Sequence, residues 1–277
     1  MISNNELVFY VLTSFVTSFY FLKTIFKHSQ IVFLSVFIYF SQFYFISYNA
    51  IRQFIAISLF LYFGDKFLAK KKYVLFILLI LVLAQIHFSI YLLVFFPLLG
   101  VKNFNKGKYF MIWGISFILF LVQSNNFLDL SAIFSLIPNL SSISAKFDML
   151  EAGSNFFFGK YGSNNQLIVK NIFFILFLIR LKYYLVENRI YWFNLFLFGL
   201  MLQNLLVKFS LFAVRIAYYG DIAQLFIVPI YIQSFKSKNH RVLMLLFFFL
   251  YYSLNFYLRF VVNGESEVFK QDVEWMK

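Results

Sequence analysis

Three short stretches of this 277-residue chain carry side chains able to do chemistry inside otherwise apolar runs. An ionisable group in hydrocarbon costs about 2.5–3.5 kcal/mol on insertion scales, which makes each a functional-site candidate. The first stretch is Tyr48-Asn49-Ala50-Ile51-Arg52-Gln53. At helical spacing Asn49, Arg52, Gln53 and Ala56 share one face, at i, i+3, i+4 and i+7. That face would set amide and guanidinium donors beside a small residue, where a ligand or another helix can come close. The alternative is that Arg52 snorkels to the headgroups, which leaves Asn49 and Gln53 without a reason. The second stretch centres on His87, between Ile86 and Phe88. A neutral imidazole there could orient a substrate hydroxyl or take its proton, or it could bond a backbone carbonyl freed by a turn. The third is Ala213 to Asp221, where Tyr218 and Tyr219 follow Arg215 at i+3 and i+4. The guanidinium fork suits phosphate oxygens, and the two rings suit stacking or hydroxyl donation. Asp221 points about 120° from Arg215 on a helix, so its expected partner is Arg52 or Lys208 from elsewhere; a purely structural ion pair between helices is the other reading. Glu6, at the mouth of the first apolar stretch, reads as an interfacial residue.

The elements that must position these groups follow from composition. Hydrophobic types make up 62% of the chain, aromatics 24% and charged residues 13%. Soluble domains carry about a quarter charged residues, so this chain has too few to wet a globular surface. The net charge of +13 is scattered among long apolar runs, unlike the clustered footprint of a nucleic-acid binder. A soluble enzyme and a basic nucleic-acid module are both excluded. There is no cysteine, hence no disulfide and no thiolate metal site. Only three Pro and ten Gly interrupt the chain, and runs such as Leu75 to Ala84 and Val242 to Leu250 do not alternate as barrel strands would. The expected fold is an all-α polytopic membrane protein, one transmembrane domain over residues 1–277. The opening Met1 to Glu6 lacks the basic region of a signal peptide, so the first apolar stretch is expected to stay in the mature protein.

Apolar runs place spans near 7–26, 30–48, 49–65, 109–126, 166–185, 190–207, 211–235 and 242–262. The run 72–101 is too long for one span and holds Gln85, His87 and Ser89 at its middle, so it is read as a helical hairpin, 72–86 and 88–101. That makes ten passes. Lys and Arg collect in cytoplasmic loops, and with ten passes every basic cluster from Lys23 to Arg241 falls on one side. Fifteen basic residues there face only Asp65 and Glu187, while the other side holds nine basic and nine acidic residues. The charge excess is therefore an orientation signal, with both termini outside. The loop 127–165 and the acid-rich tail 263–277 are then extracytoplasmic, the loop either capping a site or serving as a solvated connector.

No Asp-x-Asp pair, Gly-rich phosphate loop or His-Glu-x-x-His stretch is present. Two arginines on the outer side, without metal or nucleotide signatures, suit a substrate already activated as a lipid phosphate or diphosphate. Cations would stabilise that leaving group as negative charge develops. At these same residues the chain resembles the EpsG-like branch of the Wzy-type polysaccharide (O-antigen) polymerases. The resemblance rests on Asn49-Ala50-Ile51-Arg52-Gln53-Phe54-Ile55-Ala56, then a Lys-rich loop and an apolar helix ending in His87-Phe88-Ser89. A second match is Arg215-Ile216-Ala217-Tyr218-Tyr219, followed by an apolar run to Pro229. Family members usually begin with further hydrophobic helices and an outer segment bearing an Arg and a Gly-x-Asp-Tyr-like pattern. Nothing like it precedes Glu6, so the resemblance implies a short variant or an internal start.

The resemblance implies a GT-C-like glycosyltransferase at the outer face of a bacterial inner membrane, needing no metal and no cofactor. It would move a growing glycan from undecaprenyl diphosphate onto a lipid-linked repeat unit, with membrane lipid around it, a chain-length regulator as partner and no nucleic acid. Arg52 and Arg215 would hold diphosphate oxygens, supported by Asn49 and Gln53. His87 would be the base or orient the acceptor, and Tyr218 and Tyr219 would line the sugar groove. The alternatives are a flippase or transporter of lipid-linked oligosaccharide, an envelope glycan ligase, and a non-catalytic assembly subunit. A flippase should carry charge toward both sides, whereas the polar residues singled out here gather at outer helix ends.

Overall fold

A computed structural model describes residues 4–124, 164–186, 189–207 and 210–262, and among them every regular element is helical. The all-α expectation stands. The tail 263–277 and all but the last two residues of the loop 127–165 lie outside the described residues, as does Lys208. The helices are α1 Asn4–His28, α2 Val32–Ile38, α3 Phe45–Asn49, α4 Ile51–Ala69, α5 Tyr73–Ile86 and α6 Lys106–Ser124. They continue with α7 Asn164–Ile179, α8 Arg189–Leu205, α9 Ser210–Asp221, α10 Gln224–Gln233 and α11 Lys238–Tyr257. A π-helical turn, Tyr39–Tyr44, joins α2 to α3, and another, Leu258–Val262, extends α11. Glu6 falls within α1.

Val8–His28 and Lys238–Phe260 are long and apolar enough to cross a membrane, and shorter apolar helices accompany them. The outward side chains are apolar as well: Phe33 is 71% exposed, Val74 72% and Phe88 77%. Such a surface suits hydrocarbon, because a contiguous apolar exterior in water promotes association.

The chain divides into two compact units. Unit 1 comprises 1–101, 186–192 and 224–277, and unit 2 comprises 102–185 and 193–223. In unit 1, α1 and α4 lie side by side, with Phe21 of α1 stacked among Tyr39 and Phe54 in the core. The C-terminal ends of α1 and α4 share one end of the unit, since Lys27 reaches Asp65 and Lys23 reaches Tyr62. This parallel arrangement is what two inward passes separated by one outward pass require. The turn after α4 closes with Lys71 N–H on the Leu68 carbonyl and Lys72 N–H on the Phe67 carbonyl. Lys71 takes φ 55° there, the left-handed position of a Schellman cap that glycine usually fills.

The hairpin expected over 72–101 is present. Its first limb is α5 and its second is a 3₁₀ helix, Phe88–Leu98, with Pro97 inside it. At about 1.5 Å per residue α5 rises only ~21 Å, short of the ~30 Å hydrocarbon thickness. The span expected over 211–235 is two helices, α9 and α10, parted at Ile222 and Ala223. The last turn of α9 tightens as Ala223 N–H donates to the Gly220 carbonyl at 2.9 Å. Gln224 to Ile232 of α10 are all buried, so no lipid-facing stripe marked this helix.

Candidate functional site

In unit 1 the first motif splits. Ala50, at φ −130° and ψ 44°, breaks the helix between α3 and α4. Asn49 closes α3, its side chain outside the described residues, and Arg52 and Gln53 open α4. The single face expected for Asn49, Arg52, Gln53 and Ala56 is therefore corrected, because helical phase is lost at Ala50. Within α4 the face divides again. Arg52 is exposed while Gln53 and Ala56 are buried, as adjacent residues 100° apart on a helix edge can be. Arg52 thus meets the surroundings at the first turn of α4, where unsatisfied N–H groups add partial positive charge.

His87 stands at the turn of the hairpin in extended conformation, φ −150° and ψ 114°. Its N–H donates to the Leu83 carbonyl at 3.0 Å and its carbonyl accepts from Ile90 N–H at 3.2 Å. The residue closes one limb and opens the other, and its half-buried ring is fixed in place by that backbone.

Unit 2 holds Arg215, half-buried on α9, and Tyr218 and Tyr219, both buried. Tyr219 is 1% exposed, so its ring is a packing element of unit 2. Asp221, 5% exposed at the end of α9, accepts an ion-paired hydrogen bond from Lys170 Nζ. The pair joins two helices, as the structural reading of Asp221 expected, and its cation is Lys170, which that reading did not name; Lys208 lies outside the described residues. The same ammonium donates to Gln203 Oε1 at 2.9 Å. Lys170 lies on α7 and Gln203 on α8, so one buried cation ties three helices together.

A lattice of amides sets that register. Asn171 and Asn204 exchange hydrogen bonds, Nδ2 to Oδ1 in each direction, at 3.1 and 3.2 Å. Trp113 Nε1 donates to Asn171 Oδ1 at 2.8 Å, and Asn204 Nδ2 donates to Ser116 Oγ at 3.1 Å. Because Asn171 follows Lys170 and Asn204 follows Gln203, pairing the amides brings the preceding side chains together too. Where α8 meets α9, Gly199 and Gly220 touch backbone to backbone: a Cβ built on Gly220 would lie 2.4 Å from the Gly199 Cα. That close crossing, typical of small residues between membrane helices, seats Asp221 beside its partners.

Lys170, Gln203, Asn171 and Asn204 were missed in the sequence. The signal was there: Lys170 is an ionisable residue inside an apolar span, the rule that singled out Arg52 and Arg215. Unit 1 holds a further missed cluster. Asp65 Oδ2 accepts from His28 Nε2 at 2.8 Å and from Lys27 Nζ at 3.1 Å. His28 also sits edge-on to Trp192. Among the described residues no group of three His, Asp or Glu side chains is disposed to hold a metal ion.

The model of the EpsG family matches residues 1–271 of the chain. No curated protein and no solved structure matches it.

Proposed function

The chain belongs to the EpsG family, and from that premise we propose that it is a polysaccharide polymerase of the O-antigen type. Family membership and the apolar helices make it a membrane protein of polysaccharide biosynthesis. In the proposed reaction a glycan leaves undecaprenyl diphosphate and joins the acceptor hydroxyl of a lipid-linked repeat unit, at the outer face of the bacterial inner membrane. The glycosidic bond to the diphosphate breaks, the new bond forms to the acceptor oxygen, and the hydroxyl proton passes to a base, for which His87 is the candidate. Arg52 and Arg215 are the proposed ligands of the departing diphosphate, and Tyr218 a groove residue.

The observation that carries this reading is Arg215, half-buried on α9, the helix whose acid Asp221 is ion-paired to Lys170. Asp221 is the acid of Arg215's own helix, and it brings a second cation with it. Lys170, Asp221 and Arg215 together sum to one positive charge, the sign that a diphosphate leaving group requires. Arg52, exposed at a helix N-terminus, suits the same ligand. The test is the surface-glycan ladder of a deletion strain. A polymerase leaves glycan of a single repeat unit, restored to long chains by the wild-type gene but by neither Arg52→Ala nor Arg215→Ala at equal protein level. Lysine at either position should rescue poorly, since the fork is lost. Long chains from both alanine variants would remove these residues from the site.

One observation favours a second reading. The Lys27–His28–Asp65 cluster puts charge at the end of unit 1 opposite Arg52, as a flippase of lipid-linked oligosaccharide would need. Loss of even the single-unit glycan in the deletion strain would select that reading.

A further inference from the structure

At the basic end of unit 1, two cations from different helices share one ring. Lys66 Nζ of α4 lies 3.8 Å from the centroid of the Tyr62 ring, and Lys23 Nζ of α1 lies 4.9 Å from it. Lys23 also stands over Phe19 at 5.2 Å. Among the described residues the acid nearby is Asp65, already engaged by Lys27 and His28. Among the described residues neither Lys23 nor Lys66 has a carboxylate partner. Two like charges held together at the end of a membrane helix pair attract a counter-anion, and the ring's quadrupole offsets only part of their repulsion. Next to Lys23, α1 exposes an apolar stripe at helical spacing: Phe15, 65% exposed, stacks on Phe19, 45% exposed. A stripe that faces hydrocarbon and ends in paired ammonium groups has the shape of a lipid, with acyl chain along the phenylalanines and phosphate at the lysines.

We propose that Lys23, Lys66 and Tyr62 form a binding site for the headgroup phosphate of an anionic phospholipid, whose acyl chain lies along Phe15 and Phe19. The site is independent of the polymerase reading, because none of its residues belongs to the candidate catalytic set. Lysine stems lie along the aromatic surface while the charged heads stay at headgroup level, where anionic lipids attract basic side chains.

The experiment places the full chain in phosphatidylcholine nanodiscs containing a minority of phosphatidylglycerol and counts the phosphatidylglycerol retained, by native mass spectrometry. Joint Lys23→Gln and Lys66→Gln substitution should weaken retention about 30-fold, and each alone about fivefold. Joint Lys23→Arg and Lys66→Arg substitution, which keeps both charges, should retain the lipid and shows that the face tolerates substitution. The control is joint Lys106→Gln and Lys108→Gln, the same charge change on exposed residues of unit 2, expected to leave retention within about twofold. Equal losses in both glutamine doubles would reduce the effect to diffuse surface charge and overturn the site, as would unchanged retention in the first. Inorganic phosphate bound by the same lysines as tightly as the lipid, in nanodiscs of phosphatidylcholine alone, would overturn the lipid as ligand.

Discussion

Among the described residues each unit buries one aspartate, and the two are held in opposite ways. Asp221 of unit 2 meets an ammonium whose side chain is only 15% exposed, shared with Gln203 and fixed by the amide lattice of Asn171 and Asn204. Asp65 of unit 1 meets two donors on one oxygen, Lys27 and His28, and Lys27 is 45% exposed. Its other oxygen, Oδ1, is buried without a hydrogen bond, as is the hydroxyl of Tyr191 in the same unit. A buried pair resists the loss of either member, because the survivor is a stranded charge. A pair open to solvent at one side, with a second donor in reserve, does not. The comparison makes unit 2's ion pair a rigid part of its interior and unit 1's an adjustable one at its edge.

That contrast yields a ranked set of outcomes. The largest effect is expected for Lys170→Ala, which takes the ammonium away from the buried Asp221 and should cost about 3–5 kcal/mol, read as a lower melting temperature in detergent. Joint Lys170→Gln and Asp221→Asn substitution should recover most of it by removing both charges. Equal melting of the single and joint variants would show that the lost ammonium charge is not the cause. Next, Gly220→Ala must separate α8 from α9, since its Cβ would meet Gly199 backbone at 2.4 Å. Overpacking of this kind costs about 1–3 kcal/mol, and the loss should be matched by Gly199→Ala. Asn171→Leu leaves the Asn204 amide without its reciprocal partner, at about 1–2 kcal/mol. Changing both asparagines to leucine should be milder than either alone, and a strictly additive loss would argue against reciprocal pairing.

In unit 1 the expected effects are smaller. Lys27→Ala should change stability by less than about 1 kcal/mol, because the pair is half open and His28 remains on Asp65. Smallest of all, Tyr191→Phe removes a buried hydroxyl without a partner and should be neutral or slightly stabilising, by under about 1 kcal/mol. A clear destabilisation would reveal a bound water between Tyr191 and Asp65, and the two units would then be more alike than they look.

Much of the scaffold was legible because membrane helices announce themselves locally. Long apolar runs located α1, α6 and α11, and the polar interruption at Gln85, His87 and Ser89 located the hairpin. The break at Ala50 was legible to within two residues, since the spans 30–48 and 49–65 meet there, but its place after Asn49 was not, because Asn49-Ala50-Ile51 holds neither glycine nor proline. Nor was the break after Asp221, where a helix buried on every side shows no periodicity to lose. Of the candidate site, the residue types were readable from polarity against an apolar background. Their partners were not: the Lys170–Asp221 pair spans 51 residues of chain, and nothing in either neighbourhood encodes the other.

The sequence by itself determined that this chain is all-helical, that its basic residues gather toward one end of its helices, and that Arg52, His87 and Arg215 stand where an apolar helix has no use for them. Those are properties of single segments, fixed by hydropathy and the 3.6-residue period. Only the tertiary structure decided that Arg52 faces outward while Gln53 is buried, and that Asp221 belongs to Lys170. It alone showed that α8 and α9 touch at two glycines, and that Lys23 and Lys66 converge on one tyrosine. Each of these depends on which helix packs against which, and packing is chosen by complementary surfaces that no single segment contains.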